Sequence, residues 1–173
     1  MIFEGTLHVL GDSIDTDVMI AGRYLSILDL AQIARHIFEE IDPGFVHRVK
    51  PGDILVAGTN FGAGSGREQA PLGLKALGLS CIVAASFSRT FYRMAIDLGL
   101  PIMTCPEAAR AAQQGQQGRV DTATGEITFD GRRFRTNPLP TFVQDIVDEG
   151  GLTNWVKREV QRRRASPGAT GKR

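Results

Sequence analysis

Cysteine is scarce in this sequence, and clustered metal ligands are missing from it. The 173 residues include two cysteines, Cys81 and Cys105, and three histidines, with no Cys-x-x-Cys pair or Cys/His cluster. Structural zinc sites and iron–sulfur clusters need several thiolates or imidazoles at short spacing. The sequence therefore predicts that the chain by itself binds no metal ion and no iron–sulfur cluster.

Long apolar runs and an excess of one charge are also missing. Lys and Arg number 20 against 19 Asp and Glu, which gives a net charge of +1. A nucleic-acid surface would need clustered basic residues, and a membrane-spanning helix would need about 20 apolar residues. Residues 1–5 lack the basic start and apolar run of a signal peptide. We therefore expect a soluble, reduced, cytoplasmic protein that binds neither nucleic acid nor a membrane.

Length and composition are those of one globular domain. Hydrophobic residues make up 42% of the chain and charged residues 23%, which is ordinary for a globular protein. The last residues are polar and basic, with Pro167 and Gly168 among them. We predict one domain over residues 1–161 and a disordered basic tail over residues 162–173.

Apolar runs that end at glycines or turns predict the elements of the first two-thirds of the chain. A long polar loop is expected over residues 12–25. Strands are predicted over residues 5–10, 53–58, 81–85 and 100–103, and helices over residues 28–38, about 67–77 and 86–98. Alternation of strands and helices indicates a parallel sheet with crossover helices.

The pattern of apolar and turn-forming residues changes after Val120. Two short segments, Ile127-Thr128-Phe129 and Arg133-Phe134-Arg135, flank Asp130-Gly131 and predict a β-hairpin with an Asp-Gly turn. An apolar stripe over residues 142–147 and a start at Leu152 predict two final helices. The predicted fold class is α/β, with a short, mostly parallel sheet, flanking helices and a hairpin at its side.

The most informative stretch is a glycine-rich loop over residues 58–66. It follows a predicted buried strand and precedes a predicted helix, and glycine lets a backbone approach a ligand closely. The helix start favours an anion, Arg67 offers a guanidinium for a carboxylate, and Ser65 offers a hydroxyl for proton transfer. Dinucleotide, P-loop and nucleophile-elbow patterns do not fit. A plain glycine-rich turn before a helix explains these residues equally well.

Four ordered segments resemble the small subunits of the isopropylmalate dehydratase and aconitase family. Residues 60–71, Asn-Phe-Gly-Ala-Gly-Ser-Gly-Arg-Glu-Gln-Ala-Pro, resemble the signature loop of that family. The other three are residues 11–17 with 22–25, residues 86–93 with 99–101, and residues 149–152. Together they cover nearly the whole chain apart from its tail.

The resemblance implies a swivelling β/β/α domain of the aconitase type. It implies a two-chain hydro-lyase of leucine biosynthesis that interconverts 2- and 3-isopropylmalate, which are small dicarboxylates. A large partner subunit would carry the 4Fe–4S cluster, in a heterodimer or heterotetramer. The chain should therefore be active only with that subunit.

The resemblance also assigns roles in the loop. Ser65 falls on the serine that acts as the base, as an alkoxide, and Arg67 on an arginine that grips a substrate carboxylate. Gly64 and Gly66 would contact the substrate through their backbone. We expect Arg67 and the helix start to supply the positive charge that an alkoxide needs. Asp17 matches an acidic residue that organises the site, and a simple turn or cap explains it equally well.

Two departures from the family pattern bear on the substrate. Gly66 stands in place of a second serine, and Gln69 in place of a histidine. Arg23 is either a substrate contact or the partner of a neighbouring Asp in an ion pair. These departures leave the roles of Ser65 and Arg67 unchanged.

The segment Ser26-Ile27-Leu28 is expected to read the variable arm of the substrate. It carries no charge for an additional carboxylate, so an alkyl arm fits better. This favours isopropylmalate. The alternatives are methylmalate, dimethylmalate or homoaconitate as substrate, or a carboxylate-binding module without catalysis.

Overall fold

A single mixed sheet forms the centre of the protein. The structure is a computed structural model, and it describes residues 1–165. Its strands are β1 (Ile2–Val9), β2 (Ile54–Ala57), β3 (Cys81–Ala84), β4 (Ile102–Thr104), β5 (Gln117–Asp121), β6 (Glu126–Phe129) and β7 (Arg132–Arg135). Their order across the sheet is β4-β3-β2-β1-β5-β6-β7.

Helices cover both faces of the sheet. In chain order they are α1 (Thr16–Met19), α2 (Leu30–Ala34), α3 (Phe45–Arg48), α4 (Gln69–Ala76), α5 (Arg89–Asp97), α6 (Pro106–Ala111), α7 (Thr141–Asp148) and α8 (Leu152–Ala165), with a 3₁₀ turn at Gly22–Tyr24. No helix within residues 1–165 is long and apolar enough to cross a membrane.

The first half of the sheet is parallel, as predicted. β1, β2, β3 and β4 pair in parallel, and every residue of β2 and β3 is buried. Strands buried on both faces are apolar throughout, which is typical of parallel sheets covered by crossover helices. The predicted strand–helix alternation is confirmed here.

The second half of the sheet is antiparallel, so the predicted α/β class is confirmed, but the sheet is mixed and not mostly parallel. β5 pairs with β1, β6 with β5, and β7 with β6, all antiparallel. The predicted hairpin exists as β6 and β7. It is not separate from the main sheet, because β5 pairs with both β1 and β6 and joins it to that sheet. β5 was missed because only Gly118 and Val120 of its five residues are buried.

Each face of the sheet has its own core. Alternate strand residues point to opposite faces, so Leu55 and Ile82 lie in one core and Val56 and Val83 in the other. The first core is built on phenylalanines from the loops and helices: Phe38, Phe45, Phe61 and Phe91. The second lies under α6 and reaches Ile127 and Phe129 of β6.

Several predicted boundaries need correction, and the first strand begins at Ile2 and α5 at Arg89. The expected loop over residues 12–25 contains α1 and the 3₁₀ turn, and the helix expected over residues 28–38 shortens to α2. The helix expected from residue 67 begins at Gln69. Hydrogen-bonded turns follow α2 up to Phe38, whose φ is 59°.

The first four residues of the predicted tail, residues 162–165, form the end of α8. Glu159 forms ion pairs with Arg162 and Arg163, at the i+3 and i+4 positions that support a helix. Hydrogen bonds from these two arginines lower the pKa of Glu159 to about 2. Residues 162–165 are therefore helical, and residues 166–173 of the predicted tail lie outside the described residues.

Candidate active site

The glycine loop, residues 58–66, follows β2 and is held against the segment before α1. The N–H of Gly62 donates to the carbonyl of Ile14 at 2.8 Å, and the N–H of Thr16 donates to the carbonyl of Ala63 at 2.9 Å. These backbone bonds join two segments about fifty residues apart in the chain. They bring α1 beside the loop, and with it Asp17.

Three glycines of the loop, Gly62, Gly64 and Gly66, have a left-handed backbone. Gly64 has a φ of +84° and Gly66 a φ of +74°, a region that glycine adopts without strain. A Cβ on Gly66 would lie 2.9 Å from the Cγ2 of Thr90. A serine at this position would therefore have a strained backbone and would crowd Thr90.

Ser65, Asp17 and Arg67 form one cluster at the end of the loop. The hydroxyl of Ser65 donates to Oδ1 of Asp17 at 2.6 Å. Nε of Arg67 lies 2.6 Å from the same carboxylate oxygen. The serine and the arginine singled out in the sequence therefore meet, through the acidic residue that was expected to organise them.

The charge at Ser65 differs from the expectation. The hydroxyl of Ser65, and then the charge of Arg67, hold the pKa of Asp17 below its ordinary value. At neutral pH Asp17 is therefore a carboxylate, and an ionised acceptor keeps the proton on Ser65. Arg67 was expected to supply positive charge to Ser65. In this chain alone, that charge is neutralised because Arg67 forms an ion pair with Asp17.

Arg67 already forms hydrogen bonds and an ion pair within its own chain. Its Nη1 donates to the carbonyl of Ile20 at 2.6 Å and lies 3.5 Å from the carbonyl of Asp17. The side chain is 22% exposed. A substrate carboxylate that binds Arg67 must compete with these contacts.

Thr16 is a site residue that sequence reasoning missed. Its side chain is fully buried, and its Oγ1 accepts the N–H of Gly66 at 3.1 Å and the N–H of Arg67 at 3.2 Å. The backbone on the C-terminal side of Ser65 is thus fixed by one hydroxyl. These are the N–H groups that were expected to face an anion, and Thr16 already accepts them.

Arg23 forms an ion pair, but with glutamates. Its Nη1 lies 2.7 Å from Glu40, and its Nη2 lies 3.7 Å from Glu39. Its guanidinium also stacks over the ring of Tyr24 at 4.7 Å. The expectation of an Asp partner was wrong, and a contact with substrate remains a proposal.

The proposed specificity segment lies beside the start of α4. Nε2 of Gln69 donates to the carbonyl of Leu25 at 3.2 Å, so the residue that replaces the expected histidine ties this segment to the helix. Ser26 is exposed and Leu28 is 92% exposed, whereas Ile27 packs against the first core. Only Ser26 and Leu28 of the three therefore face outward.

The described residues do not fit an iron–sulfur cluster. Within residues 1–165, no group of three or more His, Cys, Asp or Glu side chains could hold a metal ion. Cys81 is buried in β3, and burial raises the pKa of its thiol to about 12, which opposes the thiolate that a cluster needs. Cys105 is also buried, just before α6.

Fold and loop together define the class of the protein, a C-terminal domain of the aconitase type. A family model described as the aconitase C-terminal domain matches residues 37–107. A crystal structure of 3-isopropylmalate dehydratase from Methanocaldococcus jannaschii is similar with a TM-score of 0.90 and 35% identity. That similarity covers 95% of this chain and 99% of the other.

Sequence relatives narrow the class to one family. The 3-isopropylmalate dehydratase small subunit of Caldicellulosiruptor saccharolyticus is 48% identical over 164 residues, which are 94% of this chain and 95% of the relative. The small subunit from Moorella thermoacetica is 46% identical and covers 93% and 98% of the two chains. This chain belongs to the family of 3-isopropylmalate dehydratase small subunits.

Proposed function

We propose that this chain is the small subunit of a two-chain hydro-lyase that interconverts 2- and 3-isopropylmalate in leucine biosynthesis. Relatives of nearly the same length carry the name of that enzyme, which favours it over the other acids and over a binding module. The observation within the chain that carries the proposal is the Ser65–Asp17–Arg67 cluster at the glycine loop.

Ser65 is the proposed base that removes a carbon-bound proton. A free alkoxide is strongly basic and would need nearby positive charge. The hydrogen bond to Asp17 offers another route. As Oγ of Ser65 takes the substrate proton, its own proton passes to the carboxylate of Asp17, so no free alkoxide forms. Rehydration at the neighbouring carbon returns both protons by the reverse path.

Arg67 is the proposed partner of a substrate carboxylate. A guanidinium binds a carboxylate through two parallel N–H bonds, and Nε of Arg67 now donates to Asp17. When a substrate draws Arg67 away, Asp17 loses a neighbouring positive charge and its pKa rises. Binding would thereby make Asp17 a better proton acceptor at the moment when Ser65 must release its proton.

The remaining site residues have proposed roles in binding. Gly64 and Gly66 present backbone close to the substrate, and the exposed Ser26 and Leu28 face its alkyl arm. Arg23 is a candidate contact because it follows Gly22, which lies beside the guanidinium of Arg67. An uncharged segment suits an isopropyl group because it leaves no buried charge without a partner.

A large partner subunit is part of the proposal. The relatives are named small subunits, and the Lewis acid that withdraws the hydroxyl group is expected on the other chain as a 4Fe–4S cluster. We propose a heterodimer or heterotetramer in the cytoplasm. The isolated chain should then stay colourless after treatment with iron and sulfide, and an absorbance band of a bound cluster in stoichiometric amount would contradict this.

The deciding experiment is reconstitution with the large subunit of the same organism, without oxygen. The wild-type pair should interconvert the two isopropylmalates, and Ser65→Ala should lower turnover by about 10²–10⁴-fold, the usual worth of such a proton transfer. Thr153→Ala, which removes an exposed hydroxyl from α8, is the control. A pair that binds isopropylmalate without turnover would instead support a binding module.

A further inference from the structure

A second concave surface lies at the same edge of the sheet as the glycine loop. It is a cavity of about 300 Å³, just beyond the carboxyl ends of β3 and β4, and its lining residues are Ser86, Phe87, Arg89, Tyr92, Arg93 and Thr104. In sheets with parallel strands, binding sites lie outside the carboxyl ends of the strands. The position of this cavity therefore suits an occupant.

The two arginines of the cavity carry charge that the described chain does not balance. Within residues 1–165 neither Arg89 nor Arg93 has a carboxylate within ion-pair distance. Both are exposed, and they lie four residues apart on α5, where like charges repel. The first turn of α5 contains no acidic residue. An occupant with a carboxylate would relieve this repulsion.

Aromatic side chains give the cavity an apolar wall. Phe87 and Tyr92 are half-buried, and their rings pack edge to face with centroids 6.2 Å apart. Arginine and tyrosine are the residues that most often carry the binding energy of protein interfaces. A planar guanidinium also suits a carboxylate better than a lysine would. The chemistry fits a protein segment with an acidic side chain beside apolar ones.

The cavity is continuous with the candidate active site. The carbonyl of Ser86 accepts the N–H of Phe61 at 2.9 Å, and the hydroxyl of Ser88 donates to the carbonyl of Gly62 at 2.5 Å. The segment just before α5 is thus hydrogen-bonded to the glycine loop. A second chain that closes over Ser65 at this edge also meets the cavity.

We propose that this cavity is a docking site for the large subunit, and that Arg89 and Arg93 form ion pairs with an acidic segment of that subunit. The inference rests on the proposed function, because that function supplies the partner. It adds which surface outside the active site holds the two chains together.

The test measures the dissociation constant between this chain and the purified large subunit of the same organism by calorimetry. Arg89→Glu and Arg93→Glu should each raise it about tenfold or more, because each places a carboxylate against a carboxylate. The dissociation constant of the wild-type pair should rise with salt concentration, because salt screens ion pairs. The dissociation constant of the double variant, which combines Arg89→Glu and Arg93→Glu, should rise less. Arg89→Gln and Arg93→Gln, which only remove charge, should lie between.

Arg110→Glu is the matched control, because Arg110 is exposed in the last turn of α6 and lines a different cavity. It should bind the large subunit like the wild type. Circular dichroism and thermal unfolding check that each variant is folded.

Three outcomes would overturn the docking site. If the wild-type pair associates and turns over isopropylmalate but the reversed variants bind equally well, docking fails and the proposed function stands. If citrate binds the isolated chain and only the double reversal abolishes that binding, while association is unchanged, the cavity holds a small anion. If the wild-type chains do not associate, the proposed function fails as well.

Discussion

Asp17 and Ser65 are 48 residues apart in the chain, and the hydroxyl of Ser65 donates to Oδ1 of Asp17 at 2.6 Å. The bond spans two segments that belong to different parts of the fold, α1 and the glycine loop. Both groups are accessible, so the geometry depends on the backbone bonds between these segments and not on packing around the side chains.

Asp17→Asn should remove most of the activity and leave the fold unchanged. Asparagine keeps the shape of the side chain but cannot take a proton from Ser65. We expect turnover of the reconstituted pair to fall by about 10²–10⁴-fold. Asp97→Asn, an exposed substitution on α5, should have no effect. Near-normal turnover in Asp17→Asn would mean that Ser65 gives its proton to another group.

Thr16→Val should affect both stability and turnover. Valine has the same shape as threonine but leaves the N–H groups of Gly66 and Arg67 without their acceptor, which costs about 1–3 kcal/mol for buried groups. A shift of about 1 Å in Ser65 would lower turnover about 100-fold. Urea unfolding of the isolated chain and rates of the pair measure the two effects.

Thr16→Ser is the matched comparison for that prediction. It keeps the accepting oxygen and loses one buried methyl group, so it should restore most of the turnover while losing only about 0.8 kcal/mol of stability. If serine and valine at this position give equal rates, Thr16 does not position the loop.

The sequence predicted the parallel half of the fold well and the antiparallel half poorly. The buried runs of β2 and β3 are apolar throughout, so they stand out in any window. β5 contains Gln117, Arg119 and Asp121 with only alternate residues buried, and its partner β1 is more than a hundred residues away. Pairing over that distance leaves no local signal.

Asp53→Asn should destabilise the isolated chain and alter its response to acid. Asp53 is buried, and its carboxylate lies 2.8 Å from Nε2 of His8 and accepts the N–H groups of Lys50 and Thr6. Bonds to a charged group contribute about 1.5–3 kcal/mol each, and an amide recovers only part of this. We expect a loss of about that size at pH 7, measured by urea unfolding.

The acid response has a definite sign. Burial alone would raise the pKa of Asp53, but the bonds from His8, Lys50 and Thr6 outweigh it and hold the pKa below the ordinary aspartate value of about 3.9. The carboxylate therefore stabilises the fold above that value, and this contribution is lost as the pH falls through the lower, folded-state pKa. The stability gap between wild type and Asp53→Asn should narrow below about pH 4. A gap that stays constant down to pH 2.5 would contradict the assignment.

Substrate preference should respond to charge in the segment after Leu25. Ser26→Arg or Leu28→Arg places a cation at an exposed position, so the fold should tolerate it. We expect kcat/KM for isopropylmalate to fall, and citrate or homoaconitate to improve relative to it by about 1–3 kcal/mol of transition-state free energy. Gln32→Arg adds the same charge on the exposed face of α2 and should leave the ratio unchanged.

Ile27→Arg is unsuitable for this test, because Ile27 packs against the first core. If neither exposed arginine shifts the substrate ratio, the segment does not read the variable arm.

The candidate site was predictable in its parts but not in its connections. Glycine spacing and resemblance picked out Ser65, Arg67 and Asp17 without any distance between them. Thr16 gave no signal, because a threonine in a polar segment fits a turn as well as a buried acceptor. The neutralisation of Arg67 beside Ser65 also depends on one contact, between Arg67 and Asp17, that only the folded chain brings about.

β1 pairs with two strands that lie far apart in the chain, β2 and β5. Its last residues, from Leu7 to Val9, pair with β2, whereas Ile2 to Thr6 pair with β5. During synthesis from the N-terminus, the inner part of β1 finds its partner within about fifty residues, but the outer part must wait until β5 has left the ribosome. Until then it is an open strand edge, which invites pairing with other chains. The nascent chain thus passes through a stage at which a chaperone on the ribosome would have a defined strand to shield.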